Sequence, residues 1–199
     1  MTTPTVRRVR YAAAALAAVA AIAAIVVAAA QPGRPAGQAF PPLHPAAAPA
    51  GWTRTALPNG TAVVSYPPAL HPIAGDKGSI SAAQLSPKGT FQLYLNATPR
   101  QGTETLAHWA AFRLRFLRAD SAANAHLDAA AQRVRFRGGT GSCVIDNYTT
   151  RVGAHHFQEI ACLVQGRHSG SVIVAAAPAA SWAQTSSLLL RTVAAYQVR

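Results

Sequence analysis

The sequence has little cysteine and little acid. Cys143 and Cys162 are its only cysteines, and they do not form a CxxC pair. Zinc needs about three protein ligands, and no HExxH motif is present to supply two of them. His155 and His156 are adjacent, and adjacent strand residues point to opposite faces, so they cannot share one metal. Ser142 does not sit in a GxSxG elbow. The stretch "GGTGSC", Gly138–Cys143, lacks the Lys-Ser/Thr pair of a phosphate loop, and it precedes a strand pattern where such a loop needs a helix. It reads as a turn. No nucleophile, base and orienting group can be assembled. A hydrolase is therefore the remote alternative, and no catalytic residue, cofactor or metal is expected. No internal repeat is visible.

Six Asp and Glu stand against 18 Lys and Arg, for a formal net charge of +12. Sixteen of the basic residues are arginine and alanine is abundant, a composition typical of GC-rich coding such as that of actinobacteria. GC-rich coding itself accounts for part of the basic balance.

The N-terminus predicts export. Residues 1–10, "MTTPTVRRVR", hold three arginines and no acid. Residues 11–30 carry no charge, the length that a membrane-spanning helix requires. Basic residues before the span predict the N-terminus in the cytoplasm and the C-terminal domain outside. An uncleaved anchor is one reading. The other is a signal peptide cut near Ala30, because thirteen of the twenty residues are alanine and "AAAQ" resembles a cleavage site. No cysteine lies near residue 30, which excludes a lipid-modified N-terminus. Residues 31–50 include six prolines and read as an extended tether, able to hold a domain about 60 Å from the membrane. The domain proper is expected at 51–199. It is basic, so outside the cell its natural partners are anionic lipid, wall polymers or an acidic envelope protein. Export makes nucleic acid an unsuitable partner.

Exported cysteines form disulfides. A hairpin turning at Val152-Gly153 sets Cys143 opposite Cys162, Ile145 opposite Ile160 and Tyr148 opposite Phe157. A slip of one residue would send the two cysteines to opposite faces. This register also sets Asp146 opposite Glu159. Paired carboxylates can perform acid–base chemistry or hold a cation. The preceding segment, "QRVRFR", offers a third reading. Pairing Arg137 with Ser142 brings Arg133 beside Asp146 and predicts a structural ion ladder Arg133–Asp146–Glu159. "GSVIVAAAP" adds a fourth strand with Ile173 beside Cys162. The result is a four-stranded meander, 132–137, 142–150, 155–165 and 171–177, apolar on both faces of its later strands and therefore covered on both sides.

Upstream, "TAVVSYPP" is a short strand. "GSISAAQL" and "TFQLYLNAT" flank the turn "SPKG" as a hairpin, with Phe91, Leu93 and Leu95 on its buried face. Thr103 is a candidate cap for a helix running to about Arg118. On it Leu106, Trp109, Ala110, Arg113 and Leu117 share helical spacing. Arg113, Arg115 and Arg118 form a basic edge that is either a solvated face or a contact with an anionic surface. Residues 119–130 read as helix or loop. Ser181 is a candidate cap for a last helix with a stripe of Trp182, Leu189, Val193 and Tyr196. The fold class is α+β, an antiparallel sheet covered by helices.

Three stretches, "GWTRTALPNGTAVVSYPPAL", "GTETLAHWAAFRLRFL" and "SVIVAAAPAASWAQTSSLLLRTVAAYQ", resemble the LpqN/PsbP-like family of exported α/β/α sandwich domains. The resemblance spans nearly all of 51–199. It implies a non-catalytic accessory or ligand-binding domain of a bacterial envelope, with a lipid- or amphiphile-binding protein as the alternative.

Overall fold

A computed structural model describes residues 39–119 and 122–199. The basic N-terminus and the apolar span at 11–30 lie outside the described residues, as does 31–38 of the proline-rich segment. Among the described residues, no helix is long and apolar enough to cross a membrane.

In chain order the elements are β1 (Thr53–Ala56), β2 (Ala62–Tyr66), β3 (His71–Ile73), β4 (Ile80–Leu85), β5 (Phe91–Pro99), α1 (Trp109–Ala119), β6 (Ala122–Phe136), β7 (Gly139–Thr150), β8 (His156–Gln165), β9 (Gly170–Pro178), α2 (Trp182–Ala194) and β10 (Gln197–Val198). Seven strands form one sheet in the order β3-β4-β5-β9-β8-β7-β6. Each neighbouring pair is antiparallel. After β5 the chain passes through α1 and re-enters at the far edge as β6. It then meanders back until β9 meets β5. A second sheet has the order β1-β2-β10.

The strand period of two separates the two faces of the large sheet. Cys143, Ile145, Ile160, Cys162, Val164 and Ile173 point into a core shared with Leu189 and Val193 of α2 and with Ala62 and Val64 of β2. On the opposite face Val144, Ala161, Leu163, Val172 and Val174 pack under Trp109 of α1. The structure is thus α+β, with helices on both faces of an antiparallel sheet.

The central hairpin has the register that the cysteines demand. Cys143 pairs with Cys162, Ile145 with Ile160, Asp146 with Glu159 and Tyr148 with Phe157. Ile173 lies beside Cys162. The strand before it differs from expectation. Residues 119–130 are mostly neither helix nor loop, because β6 begins at Ala122 and runs to Phe136. The turn is only Arg137-Gly138, so Phe136 pairs with Gly139 rather than with Cys143. Three bulges shift the pairing, between Ala123 and His126, Leu127 and Ala129, and Ala131 and Val134. Each inserts unpaired residues and slips the register. Arg133 sits in the last bulge, with φ at +56°.

Three local expectations are also corrected. Phe91 is 40% exposed, and Leu93, Leu95 and Ala97 form the buried face of β5. A bulge between Gln84 and Leu85 turns the start of β5 outward. Helix α1 starts at Trp109, not near Thr103. The Glu104 carboxyl turns back to accept a hydrogen bond from the Gln101 N–H at 3.1 Å, which holds this stretch as a turn. Ser181 precedes α2 but does not cap it. Its hydroxyl donates to the Pro178 carbonyl at 3.0 Å and closes a short 3₁₀ turn.

The described part of the proline-rich segment is not a free tether. Phe40 and Leu43 pack against the core, and the Ala46 N–H donates to the Ala194 carbonyl at 2.9 Å. Two apolar side chains in a chain of small residues and prolines are enough to fasten it.

Candidate functional site

Three features could carry function: the disulfide, the acid pair and a cleft beside α1. Cys143 and Cys162 are joined in a disulfide, with Cα atoms 4.1 Å apart. Both are buried in the core under α2. The bond ties the two central strands and offers no reactive thiol.

Asp146 and Glu159 lie one sheet face away from the disulfide, under α1. They are 0% and 1% exposed. Arg133, the expected partner, is exposed on the bulge of β6, and Asp146 pairs instead with Leu127 of that strand. The base comes from α1. Arg113 donates to Glu159 through Nε at 2.9 Å and also through Nη2. Its Nε lies 3.7 Å from Asp146 Oδ2. Burial works against the arginine charge, but Glu159 and Asp146 outweigh it and hold Arg113 above its usual value. Burial first, and then the Glu159 charge, push the Asp146 carboxyl up to about 9. Asp146 therefore keeps its proton at neutral pH, beside an Arg113–Glu159 ion pair. Burial and the Glu159 charge raise Tyr148 as well, and burial raises Tyr94.

A buried acid with a raised pKa is a feature of active sites. Here, however, Arg113 stands between the acids and solvent, itself only 9% exposed. The Trp109 indole, one helical turn away, donates to the Ala161 carbonyl at 3.0 Å. Trp109 and Arg113 thus pin one face of α1 onto β8 through two residues that share its lower face. Ser142 is also engaged, donating to the Leu106 carbonyl at 2.7 Å. The cluster joins helix to sheet.

The basic edge of α1 is not one surface. Arg113 points inward. Arg115 is exposed, with its guanidinium 5.9 Å from the Phe112 ring centre. Arg118 is exposed and donates to the Ala125 carbonyl at 3.3 Å. The signal that could have identified Arg113 was present in the sequence, because it is an arginine within an apolar stripe and the acid pair needed a base. His155 and His156 are exposed at a hairpin tip. Among the described residues, no three His, Cys, Asp or Glu side chains gather into a metal site.

The glycines of "GGTGSC" serve close packing. Gly138 has φ at +83°, and a Cβ there would lie 2.0 Å from the Val198 carbonyl oxygen. β10 docks directly over this turn, with the Val198 N–H donating to the Arg137 carbonyl at 2.9 Å.

Of the cleft's lining, only Arg113 was among the candidate site residues named from the sequence. The cleft has a volume of about 290 Å³ and lies between α1 and the β5-β9 part of the sheet, lined by Trp109, Phe112, Phe116 and Val174 on its apolar side and by Asp76 and Glu104 on its polar side.

No protein-family model matches the sequence. No curated protein matches it either. Solved structures do. The solution structure of cyanobacterial PsbP (CyanoP) from Synechocystis sp. PCC 6803 covers 74% of this chain and 92% of its own, with 12% identity and a TM-score of 0.57. LpqN, involved in cell envelope biogenesis of Mycobacterium tuberculosis, covers 74% of this chain and 90% of its own, with 12% identity and a TM-score of 0.43. At this identity the likeness to CyanoP is one of fold, and the fold is PsbP-like.

Proposed function

We propose that this PsbP-like domain is a non-catalytic accessory module of a bacterial envelope, held outside the cytoplasm by its N-terminal segment. The disulfide between Cys143 and Cys162 carries the reading. Such bonds persist in oxidising compartments and are rare in the cytosol. The basic N-terminus and uncharged span of residues 1–30 support the same placement. The closed Arg113–Glu159–Asp146 cluster and the engaged Ser142 hydroxyl support a role without catalysis. Its partners are an acidic envelope protein, anionic lipid or a wall polymer, which the excess of arginine suits.

A second reading, an amphiphile-binding envelope protein, is favoured by the cleft beside α1. The test is fractionation of the producing cell. The chain is expected in the membrane fraction after a carbonate wash, degraded by protease added to intact spheroplasts. Its mass without reductant is expected two hydrogens below that of the reduced chain. A chain starting near residue 31 in the medium replaces the anchor by a cleaved leader and keeps the extracytoplasmic placement. A protease-resistant chain with two free thiols refutes the proposal.

A further inference from the structure

The polar side of the cleft holds one unmet group. Two amides near it are paired, and the other buried oxygens without a partner, Oδ1 and Oδ2 of Asp146, are not in the cleft lining. The Asn96 amide donates to Ser81 Oγ at 3.0 Å, and the Gln101 amide donates to Thr98 Oγ1 at 2.9 Å. Glu104 differs. It is 5% exposed, its Oε1 accepts from the Gln101 N–H, and its Oε2 has no hydrogen-bond partner. A buried carboxyl oxygen without a donor is costly, so its retention calls for a donor that arrives from outside. Gly102, also in the cleft wall, leaves room beside it, because a Cβ there would lie 2.8 Å from Oε2.

Charge points the same way. The whole chain has six acids and a net charge of +12. Asp76 and Glu104 line this cleft. Asp146 and Glu159 lie directly behind Arg113, which is part of its wall and whose charge Glu159 already matches. On a protein whose surface repels cations, two of the six acids line this cleft, Asp76 exposed and Glu104 with an open oxygen. The facing wall is aromatic, with Trp109 and Phe112 stacked at 5.8 Å and Phe112 and Phe116 at 6.3 Å. Aromatic faces attract cations as well as apolar groups.

We infer that this cleft binds a small amphiphile bearing a primary ammonium group, with an N–H donated to Glu104 Oε2 and the apolar part laid on Trp109, Phe112 and Phe116. An ammonium brings three donors and the required sign of charge. A neutral apolar ligand leaves Oε2 unmet, and an anion meets two carboxyls. The volume of about 290 Å³ is at the lower end for ligand sites, which sets the size of the occupant. The site goes beyond the accessory role and does not depend on it. The amine can belong to a free small molecule or to a lipid headgroup.

The probe is 2-phenylethylammonium, titrated into the full chain in phosphatidylcholine nanodiscs. Its neutral and anionic counterparts, 2-phenylethanol and 3-phenylpropanoate, are titrated beside it. The readout is the nitrogen-15 indole resonance of Trp109, assigned with Trp52→Phe and Trp182→Phe. The ammonium is expected to bind at least about ten-fold tighter than either counterpart, the size of one hydrogen bond to a charged group. Glu104→Gln should abolish that preference with an unchanged circular dichroism spectrum. Phe116→Ala, at a position 45% exposed, should weaken all three compounds with an unchanged circular dichroism spectrum. Equal affinities for the three, no saturable shift, or a preference that survives Glu104→Gln overturns the inference. Competition by phosphatidylethanolamine in the nanodisc assigns the amine to a headgroup, and its absence assigns it to a soluble compound.

Discussion

Asp146 and Glu159 face each other across β7 and β8, sealed from water, with one arginine between them. Two acids and one base at close quarters favour one bound proton, and burial with the Glu159 charge raises the affinity of Asp146 for it. The unfolded chain releases that proton near the ordinary aspartate value of 3.8, whereas burial and the Glu159 charge push it up to about 9 in the folded chain. Between those values the native state binds more protons than the unfolded state. Stability from this group is therefore complete in acid and declines as pH rises toward 9. Besides burial, Glu159, Arg113 and Asp128 act on this carboxyl, Glu159 and Asp128 raising its pKa and Arg113 lowering it. Asp146→Asn supplies a permanent donor without the titration. Urea denaturation from pH 4 to 9 should show a flatter profile for this variant, and parallel profiles would refute the assignment of the proton.

Arg113→Met should be severe. It leaves Glu159 buried without its base, a loss of about 3–5 kcal/mol. Adding Glu159→Gln and Asp146→Asn to Arg113→Met should restore part of it, because the buried charge is gone. A double-mutant cycle by urea denaturation measures the coupling, and strict additivity would show that Arg113 acts only by packing.

The disulfide joins residues separated by 19 positions. Closing a loop of that size is worth about 3 kcal/mol. Reduction should lower the denaturation midpoint accordingly while leaving the far-ultraviolet circular dichroism spectrum native at low denaturant.

Gly138→Ala combines a left-handed backbone with a Cβ placed on the Val198 carbonyl. The expected cost is about 1–3 kcal/mol. Hydrogen exchange at Val198 and Arg199 should accelerate first, since β10 is displaced.

The readable and unreadable parts of the fold divide by constraint. β7 and β8 were legible because the cysteines, the aliphatic pair and the aromatic pair each fix the same register. β9 followed from the same pattern. β6 was not, because its stretch from Ala122 to Ala131 is rich in alanine and three bulges break its period of two. The ladder anchored on Arg133 failed for that reason, and not because the acid pair was misread. The buried stripe of α1 was visible in the spacing of Trp109, Arg113 and Leu117. That Arg113 reaches β8 depends on how helix and sheet pack, and strand periodicity does not encode it. The cleft was hidden because Glu104 lies in a turn where helix was expected.

The small sheet is built from distant pieces of chain. Val63 of β2 pairs with Gln197 of β10, and the Arg199 N–H donates to the Thr61 carbonyl. β2 must therefore wait for a partner far along the chain. Until β10 docks, one edge of β2 stays unpaired and the core beneath it stays unsealed. Contacts of such separation form late and slowly. Closing the small sheet is thus a late event of folding, and before it one edge of β2 is open to its neighbours.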